Sequence, residues 1–180
     1  MRGRPGGNGV DGDVKKDLHR LFLPAVFIVV LDQVSKWTVV RFIPRSESIR
    51  VTEFFNLVHV RNRGMAFGIM NRPDLPAGYY LLLAGTLAAV VLISVFLFRL
   101  RERDLRMGWG LSLVLGGAVG NLVDRLRYRA VIDFLDVHLW GYHWPAFNAA
   151  DSAITVGVFL LAAAWIFRAP DSGPDGKGPP

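Results

Sequence analysis

The chain has 180 residues, of which 52% are hydrophobic, and a formal net charge of +6. The absence of cysteine excludes disulfides and thiolate chemistry. The apolar residues are gathered into runs that can cross roughly 30 Å of hydrocarbon, so the sequence predicts a membrane protein. Basic residues flank these runs instead of forming one basic face, which favours contact with anionic lipid headgroups over nucleic acid.

The amino-terminal part predicts a tail followed by a first span. Residues 1–17 are rich in glycine and charge and predict a disordered tail. The apolar run over about 20–40 is interrupted by Asp32, Gln33 and Lys36 and has no small-residue cleavage site after it, so we interpret it as a retained span and not as a signal peptide. Asp32 and Lys36 are four residues apart with the acid first, which favours an ion pair. The pair either neutralises itself at the interface or helps to shape a binding site.

Residues 41–76 contain no run of membrane length. Within them, residues 48–61 alternate partly between apolar and polar side chains and predict one or two short strands. Asn62 follows, and then Gly64 and Gly68 surround an Ala-Phe pair, which indicates a tight bend that lets the backbone approach another group. Alone, this pattern is more often a turn than a site.

Three further apolar runs predict three more transmembrane helices. In the first of them, Gly85 and Thr86 are interpreted as helix-packing residues. The whole membrane domain covers 18–168, and residues 169–180 predict a second disordered tail. The three spans cover about 77–98, 107–126 and 152–167.

The arginines and lysines near the spans predict the orientation. The amino end and the loop over 99–106 are strongly basic, so both should face the cytoplasm, with both termini inside. The loop over 41–76 carries six arginines, which opposes this orientation. That loop is longer and is expected to be folded, so its charges weigh less.

A dense group of ionisable and amide side chains lies between the third and fourth spans. Burying such side chains at membrane depth costs free energy, so their presence there predicts a functional site. Asn121, Asp124 and Arg125 are three and four residues apart and share one helical face. An aspartate next to an arginine, as in Asp124 and Arg125, more often forms a structural ion pair than a functional site. The group comprises Asn121, Asp124, Arg125, Asp133, Asp136, Asn148 and Asp151.

Two of these acids are candidates for catalysis. Asp133 stands among Val131, Ile132 and Phe134, and such apolar neighbours raise the pKa of a carboxyl. Asp151 lies where the fourth span begins, where it could simply cap the helix. Two carboxyls that share a proton can act together, one as general base on a water and the other as general acid on a scissile carbonyl oxygen.

Other chemistries fit less well. A metal site could use His138, His143 and an aspartate, but the spacing lacks the helical H-E-x-x-H arrangement, and the neighbouring aromatics are typical of an interfacial belt. An ion-coupled transporter should carry charges across the membrane depth, whereas the second span has none. A lipid-binding or scaffold protein would leave the paired aspartates unexplained.

Five motifs resemble, in order, those of the lipoprotein signal peptidases (signal peptidase II). The resemblance covers roughly residues 20–168. The motifs are Asp32-Gln33-Val34-Ser35-Lys36, Asn62-Arg63-Gly64-Met65-Ala66-Phe67, GGAVGNLVDR from Gly116, VIDF from Val131 and FNAAD ending at Asp151.

The resemblance implies a mainly α integral membrane protein of the bacterial cytoplasmic (inner) membrane, with four transmembrane helices and a small extracytoplasmic β-cradle. It implies an aspartyl endopeptidase that cleaves prolipoproteins before a cysteine carrying diacylglycerol, at a site near the outer face, with membrane lipids as further partners and no metal, organic cofactor or nucleic acid. Its catalytic aspartates match Asp133 and Asp151. Its supporting residues match Asp32, Lys36, Asn62, Gly64, Asn121, Asp124, Arg125 and Asn148.

Overall fold

A computed structural model describes residues 10–64, 76–99 and 105–167 of the chain. These residues form four helices and a four-stranded antiparallel sheet with the strand order β1-β2-β3-β4. The helices are α1 (Val10–Phe42), α2 (Pro76–Arg99), α3 (Leu105–Tyr128) and α4 (Ala149–Ile166), and the strands are β1 (Ser48–Arg50), β2 (Phe55–Asn62), β3 (Val131–Leu139) and β4 (Tyr142–His143).

Three of the described helices are long and apolar enough to cross a membrane: Leu21–Phe42 of α1, Gly78–Arg99 of α2, and α4. Their large apolar side chains are widely exposed, as lipid-facing side chains would be. The remaining predicted span, the third in chain order, corresponds to α3, which is less apolar because glycines and polar residues interrupt it. It packs against the other three helices. A four-span arrangement therefore stays a prediction.

The amino-terminal helix is longer than predicted. It begins at Val10, so it includes residues 10–17, which the sequence assigned to the tail. Residues 1–9 and the predicted tail over 169–180 lie outside the described residues.

The close helix contacts are made by α3 and not, as predicted, by Gly85 of α2. A Cβ atom on Gly85 would meet nothing within 4 Å, and the Thr86 hydroxyl donates a hydrogen bond within its own helix. In contrast, a Cβ on Gly116 would lie 2.7 Å from the carbonyl oxygen of Ala25 in α1. A Cβ on Gly117 would collide with the backbone of α4. The glycines of α3 thus let two neighbouring helices approach its backbone.

The sheet lies at the end of the helical bundle where α1 and α3 end and where α2 and α4 begin. The strands predicted within 48–61 are confirmed as β1 and β2. β2 pairs with β3 so that Val60 lies opposite Asp133 and Asn62 lies opposite Val131. A buried apolar cluster holds the sheet against α1; it is formed by Val39, Ile43, Ile132 and Phe134.

Candidate active site

A cavity of about 920 Å³ lies between the sheet and the ends of the helices, and both Asp133 and Asp151 line it. Asp133 belongs to β3 and is only 2% exposed, whereas Asp151 stands in the first turn of α4 and is half-buried. The structure therefore brings the two predicted catalytic residues to one place. Other residues that line the cavity are Asn62, Gly64, Leu82, Asn121, Arg125, Phe147 and Val156.

Asparagine side chains connect the two carboxyl groups. Asn148 donates a hydrogen bond of 2.8 Å to Oδ1 of Asp133 and another of 3.3 Å to Oδ1 of Asn121. Asn121 in turn donates a 2.8 Å hydrogen bond to Oδ1 of Asp151. Asn62 donates to the second oxygen of Asp133, at 3.0 Å. Each carboxyl is thus held in a fixed orientation by amide groups from other elements.

The start of α4 fixes Asp151 in a second way. Asn148 caps the helix, and its side-chain oxygen accepts a hydrogen bond from the Asp151 N–H at 2.9 Å. The Asp151 carboxylate accepts in return from the Asn148 N–H at 3.3 Å, which completes a capping box. The alternative that Asp151 serves the helix end is confirmed, but it does not compete with a place in the cavity. One oxygen faces the cap and the other meets Asn121.

The environment of Asp133 favours its protonated form. Burial raises the pKa of Asp133 to about 7, the hydrogen bond from Asn62 opposes this shift, and the charge of Asp151 adds to it. The desolvation predicted from the apolar neighbours of Asp133 is confirmed, since Ile132 and Phe134 on either side of it are buried. A carboxyl with a pKa near neutrality can act as a general acid at physiological pH.

A buried ionic cluster lies beside the asparagines. The Lys36 ammonium nitrogen is 2.8 Å from an Asp32 oxygen and 2.9 Å from an Asp124 oxygen, and it donates to Asn121 at 3.1 Å. The predicted pair of Asp32 and Lys36 is confirmed. The Asn121 side chain connects this cluster to the cavity, because its oxygen accepts a hydrogen bond from Lys36 and its nitrogen donates one to Asp151.

The alternative that Asp124 pairs with its neighbour Arg125 is wrong. Adjacent residues on a helix point in different directions, so the carboxylate of Asp124 meets Lys36 and the backbone N–H of Ile132. Arg125 lines the cavity and donates to the carbonyl oxygen of Asn121 at 3.3 Å. The charges of Asp151, Asp124 and Asp133 act on it without a direct ion pair to Asp124 among the described residues.

Two predicted residues lie at the end of β2. Gly64 has a φ of 109°, a conformation that suits glycine, and its N–H donates a 2.9 Å hydrogen bond to the Asn62 side-chain oxygen. This contact leaves the Asn62 amide hydrogens directed at Asp133. The remainder of the predicted bend, residues 65–68, lies outside the described residues.

One residue beside the site was not predicted to support it. Gln33 interrupts the first span and belongs to the first motif, but no role was predicted for it. Its amide group donates to Asp124 at 3.1 Å and to Asp32 and the Gly120 carbonyl oxygen, both at 3.2 Å. Its position beside Asp32 within an apolar run was the available signal, because a buried amide needs partners.

The two histidines considered for a metal site lie at the β3–β4 hairpin. Their rings stack with centroids 4.7 Å apart, and His143 Nδ1 is 2.9 Å from Asp136. Burial acts against ionisation of Asp136, but hydrogen bonds from His143 and Asn56 prevail and lower its pKa. Within the described ranges, no group of three or more His, Asp or Glu side chains is placed to hold a metal ion.

Comparisons with known proteins agree on one family. The family described as "Signal peptidase (SPase) II" matches residues 24–167. A lipoprotein signal peptidase of Oleidesulfovibrio alaskensis is 43% identical over 145 residues, which are 80% of this chain and 92% of that protein. One of Syntrophotalea carbinolica is 46% identical over 147 residues, 81% of this chain and 90% of that protein. A solved bacterial membrane enzyme, determined by the in meso method at 1.9 Å resolution, is 33% identical, with a TM-score of 0.71 over 83% of this chain and 94% of its own.

Proposed function

Because the chain belongs to the signal peptidase II family, a family of lipoprotein signal peptidases of the bacterial membrane, we propose that it cleaves prolipoproteins by a two-aspartate mechanism. The bond broken lies just before a cysteine that carries diacylglycerol. The observation that carries the mechanism is the shared cavity of Asp133 and Asp151. The other two acids near the site, Asp32 and Asp124, form ion pairs with Lys36.

The roles of the two aspartates follow from their surroundings. Asp151 is the more accessible of the two, so we assign to it the removal of a proton from the attacking water. Asp133, whose pKa burial raises to about 7, donates its proton to the oxygen of the scissile carbonyl. The water oxygen bonds to the carbonyl carbon. The leaving nitrogen takes the proton held by Asp151 as the carbon–nitrogen bond breaks, and one hydroxyl on the carbonyl carbon returns a proton to Asp133, which leaves a carboxylic acid as the second product.

The surrounding amides keep this geometry through the reaction. Asn148 and Asn62 each hold one oxygen of Asp133, while Asn121 holds one oxygen of Asp151. Fixed donors of this kind require no reorganisation when charge develops, which is how polar sites lower barriers. These two carboxyls and a water are sufficient for peptide hydrolysis, so we expect no cofactor. The apolar part of the cavity wall, which includes Leu82 and Val156, suits the acyl chains of the substrate.

The test is cleavage of a diacylglyceryl-modified prolipoprotein by purified variants. We expect Asp133→Asn and Asp151→Asn each to reduce the rate by at least about a thousandfold while the variants remain folded in the membrane, because neither amide can exchange the required proton. Asp136→Asn is the matched control, since Asp136 lies on the same strand but bonds to Asn56 and His143 outside the cavity. It should retain most of the activity.

Asp124→Asn separates this assignment from its nearest rival. Asp124 is buried against Lys36, so its loss should lower the amount of folded protein, and the folded fraction should still turn over. A folded but inactive Asp124→Asn variant beside an active Asp133→Asn variant would move the catalytic pair to Asp124 and Asp151.

A further inference from the structure

Three arginines and two tyrosines gather at the end of the bundle that carries the cavity. The Cζ atoms of Arg61 and Arg127 lie 5.3 and 5.0 Å from the ring centroid of Tyr128. The Cζ atom of Arg129 lies 6.0 Å from the ring of Tyr79. We call these five residues the arginine corner. It joins β2, the start of α2 and the end of α3.

Contacts of the backbone also hold the corner together. The Tyr79 hydroxyl donates a 3.1 Å hydrogen bond to the carbonyl oxygen of Arg125, which fixes the start of α2 to the end of α3. Arg61 lies opposite Ile132 in the sheet. Arg129 has a φ of 53°, a left-handed conformation uncommon for a residue with a long side chain. Backbone strain of this kind persists where the surroundings impose it and often marks a functional position.

The positive charges of the corner have no acidic partner within the described part of the chain. The ion pairs found there join Lys36 to two aspartates and His143 to Asp136. The Nε of Arg61 is buried and has no hydrogen-bond partner. A buried donor without a partner is costly, and like charges repel when they gather without a counter-ion. An anion with several acceptor oxygens would relieve both costs.

The surroundings of the corner indicate which kind of anion it would bind. Exposed apolar side chains adjoin it in the sequence: Tyr80 and Leu81 follow Tyr79, and Leu126 precedes Arg127. Arginine forks match the oxygens of a phosphate, and basic groups at the ends of membrane helices attract anionic headgroups. A lipid phosphate would meet the guanidinium groups while its acyl chains lie along the apolar ends of α2 and α3.

We propose that the arginine corner binds the phosphate of an anionic phospholipid at the membrane surface that carries the cavity. Such a site accounts for Arg61, one of the arginines of the 41–76 loop that oppose the predicted orientation. It goes beyond the cleavage reaction and does not depend on it, because lipid binding can be measured whether or not the protein cleaves a substrate.

The test is native mass spectrometry of the delipidated full chain in a neutral detergent, titrated with phosphatidylglycerol, phosphatidylcholine or inorganic phosphate. We expect the protein to bind phosphatidylglycerol at least about tenfold more tightly than phosphatidylcholine, and Arg127→Gln with Arg129→Gln to remove this preference. Arg99→Gln is the matched control, since Arg99 ends α2 at the opposite end of the bundle. It should leave the preference unchanged.

A second variant guards against misfolding. Arg129→Gly suits the φ of 53°, so it should keep the thermal midpoint of the parent while binding phosphatidylglycerol severalfold less tightly. Equal affinity for the two lipids, or an undiminished preference in the folded variants, would overturn the proposal. If inorganic phosphate bound as tightly as phosphatidylglycerol, the ligand of the corner would be free phosphate and not a lipid.

Discussion

The carboxyl of Asp133 links the stability of the protein to pH. In the folded protein its pKa is about 7, raised by burial from 3.8, so the folded chain keeps a proton that the unfolded chain releases between these values. Its contribution to the free energy of unfolding is therefore fully present below pH 3.8 and is lost as the pH rises to about 7. The contribution is at most about 4 kcal/mol.

A thermal unfolding series in detergent can isolate this contribution. The midpoint of Asp133→Asn should rise relative to that of the parent as the pH increases from 4.5 to 8, because the amide never ionises. Asp136→Asn should not show this rise, since hydrogen bonds lower the pKa of Asp136. A constant difference between parent and Asp133→Asn would mean that Asp133 is not protonated in the folded state.

The protonation of Asp133 should also determine how the rate of cleavage depends on pH. If Asp133 is the general acid, the rate should fall above a pH of about 7 as that carboxyl loses its proton. A rate that keeps rising through pH 9 would contradict the assignment.

Lys36 neutralises two carboxylates, which changes the outcome expected for its removal. Lys36→Met leaves Asp32 and Asp124 without their cation, and breaking a buried pair in this way costs roughly 3–5 kcal/mol. Adding Asp32→Asn should restore only part of the folded protein, and adding Asp124→Asn as well should restore more. The measurement is the amount of folded protein recovered from membranes. Equal recovery of the single, double and triple variants would show that the three groups do not interact.

Among the elements, the strands show where sequence patterns suffice. The alternation over 48–61 predicted β1 and β2, whereas no strand was predicted around Asp133. Residues 131–139 form β3, whose first four residues are all buried. A strand buried on both sides has no clear alternation, so its pattern is hard to distinguish from a short piece of helix. Its pairing with β2 is a tertiary contact that the local sequence does not reveal.

The glycines of α3 set the distance between helices, and this can be tested against a glycine that does not. Gly117→Ala would drive a methyl group into the Ala150 carbonyl oxygen and the Ile154 side chain of α4. Overpacking of this kind costs about 1–3 kcal/mol, and it would also shift Asp151. Gly85→Ala is the matched control because its methyl group meets open space. We expect Gly117→Ala to lower both the thermal midpoint and the cleavage rate, and Gly85→Ala to lower neither; equal effects would contradict this.

For the whole molecule, the order of the motifs predicted more than any single pattern did. Asp32, Asn62 and Asp151 are far apart in sequence, yet the resemblance places them in one site, and the structure brings them to the same end of the bundle. The partner of Asp124 could not be predicted in this way. Lys36 comes from another helix, and the choice between it and the adjacent Arg125 depends on the direction in which each side chain leaves its helix.

The structure also sharpens the predicted orientation. The sheet and the cavity lie where α1 and α3 end and where α2 and α4 begin, so all the candidate site residues belong to one end of the bundle. The substrate bond proposed above lies beside a lipidated cysteine at the outer face, so this end should be outside. At the opposite end, α2 ends at Arg99 and α3 begins at Leu105, and the sequence over 99–106 carries four arginines, which favour the cytoplasm.

Reporter fusions at residues 104 and 140 test this orientation directly. Residue 104 belongs to the basic sequence between α2 and α3. Trp140 stands at the tip of the β3–β4 hairpin, where it is 96% exposed and can accept an insertion. A reporter active only in the cytoplasm should work at 104 and fail at 140, and one active only after export should do the reverse. Using both reporters at both positions controls for fusions that do not fold. If a fusion at 104 were exported, the orientation in the membrane would be the reverse of the predicted one. The cavity would then lie at the cytoplasmic face, away from the surface where its proposed substrate is anchored.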